Sequence, residues 1–317
     1  MRPTQFAFWS LLPAVALAQS CRDPKPEPYV PFSVNYDVTS LVLQPGYDTV
    51  PRWSTGYVAL DEASGAVHCS WAPHAVWVIE DGGAGPMLYL VDVRNGRVMS
   101  RLQLNNGWTN DDWEDLAHWT DASGQRWLGI GEIGDNDGLK PMRRIYALTE
   151  PEGIDTAGPN IQSHTPDQTK VWTFSYEDGP RDAESLFADP ADGRLYVVSK
   201  RDLRNRVYVL PAEPTLGGDT ARYLGDLPLF MTTAADRLTL PGGRSPLVVR
   251  SYGRIYYWDA APSEPASEVL QRVPTQLPYT EQEAQGEIFA WMPDGSYVLI
   301  SEKAAGVSPQ VHRYVRQ

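Results

Sequence analysis

Short apolar runs recur along the chain, each bounded by Gly, Pro, Asp or Asn, and after the first twenty residues none extends to helical length. Five stretches repeat one order of residue types. A small or acidic residue comes first, then a short apolar stretch, a Pro/Asp/Gly turn, an apolar strand ending in a charge, a loop, and a strand rich in Tyr and Val. With Ser64, Glu114, Glu184, Ala235 and Glu287 taken as equivalent, the spacings are 50, 70, 51 and 52 residues. That is the length of a four-stranded propeller blade and beyond most helical repeats. Asp192-Gly193 and Asp294-Gly295, between alternating apolar runs, read as hairpin turns.

The pattern predicts an all-β fold, a β-propeller with five visible blades; a sixth, degenerate blade has room in either long interval. Residues 29 to 58, including Val30 to Val38 and Ser40 to Pro45, are expected to close the ring with N-terminal strands, which removes free sheet edges. The 70-residue interval contains a Pro/Gly/Asp-rich insertion, Glu150 to Asp167, and then an outer strand from Lys170. No interior linker divides residues 29 to 317, which are read as one propeller domain.

The start of the chain reads differently. Arg2, the apolar run Phe6 to Leu17 and the small-x-small site Ala16-Leu17-Ala18 predict a signal peptide over residues 1 to 18, followed by a Pro-rich tail over 19 to 28. The expected location is secreted or periplasmic, with a lipoprotein acylated at Cys21 as the rival. No other apolar stretch approaches the roughly 20 residues that span a bilayer, so the mature chain is expected to have no transmembrane segment. Cys21 and Cys69 are the only cysteines. An oxidising compartment allows a bridge between them, and a buried Cys69 thiol is the alternative.

Composition narrows the partners. The 317 residues carry 27 Lys+Arg against 40 Asp+Glu, a net charge of −13, with no basic cluster. Nucleic acid, which binds to local positive charge, is excluded as a partner. The 11 Trp, 16 Tyr and 7 Phe argue against disorder, and 26 Gly with 27 Pro argue against a helix bundle.

The run Asn106 to Ala117, followed by Gly131 to Asn136, Arg143 to Tyr146 and Glu150-Pro151, resembles a family of secreted bacterial propeller proteins of undetermined function. Ala63 to Gly65, Asp182 to Glu184, Ser199-Lys200, Thr233 to Asp236, Arg250 to Tyr252 and Gln285 to Glu287 extend the resemblance over about residues 60 to 303. The sequence departs from that pattern at Glu132, where the family has Asp, and at Glu80, where it has Asn. More distantly, the acidic repeat starts are similar to those of six-bladed propellers that include phytase-like, lactonase-like and sdiA-regulated proteins. The resemblance implies fold far more than activity.

Equivalent repeat positions converge at one end of a propeller channel. The repeat starts offer Ser64, Glu114, Asp115, Asp182, Glu184, Asp236 and Glu287; the ends of the following strands offer Glu80, Asp81, Glu132, Lys200, Arg250 and Glu302. Crowded carboxylates need a neutralising partner. Lys200 and Arg250 can supply it internally, which would make these residues salt bridges between blades. A cation can supply it instead, and Asp/Glu oxygens with Asp135 and Asn136 suit Ca²⁺. The third reading is catalysis, with Glu114 and Glu184 as acid and base and Lys200 and Arg250 holding an anionic group.

Five histidines show no HExxH spacing, and no G-x-S-x-G elbow is present. Trp108, Trp113 and Trp119 surround the acidic motif, as inter-blade packing or as a stacking surface. The expected protein is therefore a propeller of undetermined activity whose acidic axial face binds Ca²⁺ or a small ligand. A Ca²⁺-dependent hydrolase of phytase, esterase or lactonase type and a cell-envelope interaction scaffold stand as alternatives.

Overall fold

Two short strands, β1 (Phe32–Ser33) and β2 (Trp53–Tyr57), precede the first repeat. The first group is β3 (Ala63–His68), β4 (Ala75–Glu80), β5 (Met87–Asp92) and β6 (Arg97–Leu104), paired in that order and antiparallel. The second begins with β7 (Trp113–Thr120), β8 (Arg126–Glu132) and β9 (Arg143–Thr149). The chain then leaves to lay β10 (Ile161–His164) in parallel on β6 and returns as β11 (Thr169–Tyr176) beside β9. The long interval is thus spent on an added strand of the first group.

The third group is β12 (Ala183–Ala188), β13 (Leu195–Ser199), β14 (Asn205–Val209) and β15 (Asp219–Leu227). The fourth is β16 (Thr232–Arg237), β17 (Leu247–Ser251) and β18 (Arg254–Trp258), with the single turn of helix α1 (Ala266–Val269) before β19 (Thr275–Gln276). The fifth is β20 (Gly286–Trp291), β21 (Tyr297–Ser301) and β22 (Gln310–Tyr314), completed by β2 on β22. These coordinates are a computed structural model that describes residues 30–279, 283, 285–304 and 306–317. The expected signal peptide, the tail and Cys21 lie outside the described residues, and Cys69 is a buried free thiol.

First strands touch one another in the cyclic order β3, β7, β12, β16, β20 and back to β3. The molecule is a β-propeller, closed by the N-terminal segment. That segment also runs along the outer edges: Phe32 pairs with Gly225, Leu43 bridges Gln276, and Tyr47 bridges Arg316. Pairing along the perimeter covers edges that would otherwise template association.

Burial follows position in each group. The strands β3, β12, β16 and β20 are buried at every residue, whereas the outer β6 alternates exposed or partly exposed with buried. Strands covered on both sides therefore lie inside, and an alternating run such as that of β6 lies outside. Apolar clusters lie between neighbouring groups. One joins Val76 and Val78 to Ile288 and Ile300, and another joins Ala117 and Ile133 to Leu186 and Val197. Trp113 belongs to a third cluster, Trp108 stacks on Tyr146 at 4.7 Å, and Trp119 stacks on Trp127 at 6.1 Å. All three tryptophans around the acidic motif pack against apolar or aromatic neighbours, Trp108 and Trp119 only partly buried.

No helix among the described residues is long and apolar enough to cross a membrane.

Candidate functional site

Each first strand is irregular at one place. The register shifts between Ala63 and Ala66, Trp113 and Asp115, Ala183 and Ser185, Thr232 and Ala234, and Gly286 and Ile288. The residues caught in these β-bulges are Ser64, Glu114, Glu184, Thr233 and Glu287. A bulge re-aims a side chain out of the alternating pleat. Four of the five, Ser64, Glu114, Glu184 and Glu287, line one axial cavity of about 190 Å³. Thr233 holds the ring together, donating through Oγ1 to Gly286 O at 2.9 Å, as Ser64 does to Glu114 O at 2.6 Å.

A second ring comes from the residues just past the second strands: Asp81, Ile133, Lys200, Tyr252 and Glu302. Asp81, Lys200 and Glu302 are fixed by the same contact, each backbone N–H donating to a carbonyl ahead of the first strand, Glu62, Asp182 and Gln285 respectively. Asp81, Lys200, Tyr252 and Glu302 all reach the cavity, and Ile133 does not. Five carboxylates there face two cationic side chains, Lys200 and Arg201.

Those charges are poorly balanced. Lys200 Nζ contacts Glu184 Oε2 and lies 4.9 Å over the Tyr252 ring. Burial alone would discharge Lys200, but Glu184 and Glu287 outweigh it and hold the ammonium above its usual range. Burial pushes Glu114 well above the ordinary carboxylate range, and the charges of Glu184, Asp81 and Asp112 push it further. Glu302 rises to about 8 through burial, a hydrogen bond shared with Glu62 and the charge of Glu287. Asp81 is raised chiefly by burial. The mouth gathers more carboxylates than its own cations can match, so several of them hold their protons to higher pH than usual.

One part of the mouth has the form of a metal site. Carboxylate oxygens of Asp81, Asp112 and Glu114 lie within 4.8 Å of one another. Gly134 makes room for them, because a Cβ there would run into Glu114 Oε1 and the Asp112 carboxylate. Lys140 Nζ sits 2.9 Å from Asp112 Oδ2 and is itself 45% exposed, so an incoming cation can displace it. An all-oxygen set of flexible carboxylates fits Ca²⁺ or another hard divalent ion.

Several expected channel residues are placed elsewhere. Asp236 was expected at the fourth repeat start, but the bulge falls at Thr233; Asp236 is buried deeper, with Oδ2 accepting Trp291 N at 2.8 Å. Burial raises it to about 7. Asp115 is sealed in the wall, where its carboxylate accepts the N–H groups of Leu116 at 2.8 Å, Leu186 at 2.8 Å and Ala235 at 3.0 Å. Glu80 and Glu132 lie one residue before the second ring, and alternation turns them off the axis. Glu80 accepts from Tyr89 Oη at 2.6 Å in an outer cleft, and Glu132 pairs with Arg144 at 3.3 Å.

Arg250 is two residues short of the ring. Its guanidinium is buried and bonds Glu283 and Ile288 O at the seam between the fourth and fifth groups. Asp182 sits at the rim, paired with Arg201 at 2.7 Å and accepting Asp135 N at 2.8 Å. The Asp135 carboxylate is occupied by its own loop, accepting from Leu139 N and Lys140 N at 3.1 and 2.7 Å. Asn136 bonds Arg201 and lines the cavity. Asp112, Tyr252 and Gln285 were missed; aligning the repeats on Glu114, Lys200 and Glu287 would have found them.

No family model and no curated protein matches the chain. Among solved structures, it is similar to the PQQ-bound aldose sugar dehydrogenase of Streptomyces coelicolor, with 10% identity over 84% of this chain and 97% of that one, at a TM-score of 0.45. It is also similar to the calcium-binding protein regucalcin of Agrobacterium tumefaciens, with 12% identity over 86% and 94% of the two chains, at a TM-score of 0.38.

Proposed function

We propose that this propeller binds a divalent cation of the calcium class at its axial mouth, through Asp81, Asp112 and Glu114, and holds a small ligand over it. The observation that carries this reading is the meeting of three carboxylates beside Gly134, Asp81 from the end of β4 and Asp112 and Glu114 from the start of β7, with Glu114 buried among them. A buried carboxylate crowded by others is costly unless protonated or matched by positive charge, and a cation would relieve all three at once. When bound, such an ion supplies positive charge to polarise a ligand oxygen.

The chain's own residues define what else the ligand meets. Lys200 and Tyr252 line the same mouth, so an anionic or hydroxyl-bearing ligand would find an ammonium and a phenol there. Gln285 donates through Nε2 to Glu287 Oε1 at 2.9 Å and also bonds Glu302, which fixes both carboxylates on the remaining wall.

Calorimetric titration of the full chain with Ca²⁺ tests the proposal. One ion per chain is expected, with affinity rising between pH 5 and 8 as protons leave the mouth. Absence of a saturable heat, or binding unchanged by Glu114→Gln, would sink it.

A further inference from the structure

The other end of the channel holds a cavity of a different kind, about 330 Å³ in volume. It is reached by following β7 away from the mouth: His118 lies four residues beyond Glu114, roughly 13 Å along an extended strand. Trp119, Ala188, Pro190 and Leu238 give it an apolar wall, and Arg126 and His118 contribute polar atoms.

The acceptors at this end are already occupied. Asp189 forms a fully buried pair with Arg237 at 2.6 Å, and also accepts the N–H groups of Ala191 and Ala266. Glu150 takes Ser70 N at 2.9 Å and the Trp77 indole at 2.8 Å, and lies 3.1 Å from Arg126 Nε. Asp236 accepts from the Trp291 backbone.

Donors remain. His118 Nε2 is buried without a hydrogen-bond partner; Asp236 Oδ1 is 3.4 Å away and forms none. Burial keeps both His68 and His118 neutral, which leaves a neutral ring able to donate from Nε2. Arg126, with 16% of its side chain exposed, is ion-paired through Nε with Glu150 at 3.1 Å, and its Nη2 donates to His68 O at 3.1 Å beside the His68 ring. A partly exposed guanidinium beside an unpartnered imidazole and an apolar wall matches an anion that carries an apolar body.

We propose that this cavity is a second ligand site, for a small organic carboxylate whose charged end meets Arg126 and His118 and whose body packs on Trp119 and Leu238. It is independent of the cation at the mouth.

Fluorine NMR of the full chain with para-fluorobenzoate tests it, with para-fluorobenzamide as the uncharged isostere. The benzoate should bind saturably and about tenfold or more tighter than the amide. Arg126→Gln should weaken it by a similar factor. Thr239→Trp, at an exposed rim position, should block the cavity with the melting temperature unchanged, which keeps the test decisive where the arginine variant fails to fold. Chelator and Glu114→Gln should leave benzoate binding intact. Lack of saturation, equal binding of the amide, survival of binding in Thr239→Trp, or its loss in Glu114→Gln would each overturn the proposal.

Discussion

Glu114 and Asp115 are neighbours on one strand and of one chemical kind, yet they have opposite surroundings. Asp115 is met by three backbone N–H groups from three first strands, so its oxygens are hydrogen-bonded, although burial still holds it well above the ordinary carboxylate range. Glu114 is met mainly by other carboxylates and by one serine hydroxyl at 3.4 Å. The bulge at this point separates them, turning Glu114 into the mouth and Asp115 into the wall. What a buried carboxylate does is decided by its supply of donors. Asp115 ties the ring, whereas Glu114 has no such set of donors. Glu80 and Asp81 repeat the contrast, Glu80 satisfied by Tyr89 in an outer cleft and Asp81 turned to the mouth.

Breaking the satisfied member should give the largest effect. Asp115→Ala leaves three buried N–H groups without an acceptor and is expected to cost about 3–5 kcal/mol of stability, read from urea unfolding. A loss under about 1 kcal/mol would mean that the ring does not depend on this carboxylate. Changing the unsatisfied members should spare stability and remove binding: Glu114→Gln and Asp81→Asn are expected to weaken Ca²⁺ by about a hundredfold, with the metal-free midpoint unchanged or higher. A fall in that midpoint would show that these carboxylates are structural.

The pH dependence sharpens the same contrast. Glu302 is raised from 4.5 to about 8 in the folded chain, so between those values the folded state holds a proton that the unfolded state has lost. Its contribution to stability is present below about pH 4.5 and is lost as pH rises to about 8. Metal-free melting temperature should therefore decline across that window, and saturating Ca²⁺ should flatten the decline. An identical slope with and without Ca²⁺ would detach the ion from the mouth. The smallest effect is expected at Glu80→Gln, which should leave Ca²⁺ affinity within about twofold in the same titration, because Glu80 faces Tyr89 and not the axis.

The repeat pattern made the propeller legible because each blade is one local unit with its own turns. Asp192-Gly193 and Asp294-Gly295 turn where expected, with the glycines at φ of +69° and +79°. Residues Glu114, Glu184, Lys200, Glu287, Asp81 and Glu302 could be grouped because equivalent positions meet at the axis. Register was harder to read. A bulge adds one residue without a sequence mark, so Asp236 stood in for Thr233, and Glu80 was grouped with its neighbour Asp81 although alternation turns it off the axis. Arg250 looked like a channel cation, but its long side chain reaches across to Glu283. The cavity at the other end was not legible in the sequence, since it joins His118 and Arg126 of the second group to Leu238 of the fourth with no repeated spacing.

An anomalous difference map from crystals soaked in terbium, a heavy substitute for Ca²⁺, tests the central claim most directly. A peak enclosed by Asp81, Asp112 and Glu114 is expected, with Lys140 moved off Asp112. A mouth without a peak, and with Lys140 still bonded to Asp112, would contradict it.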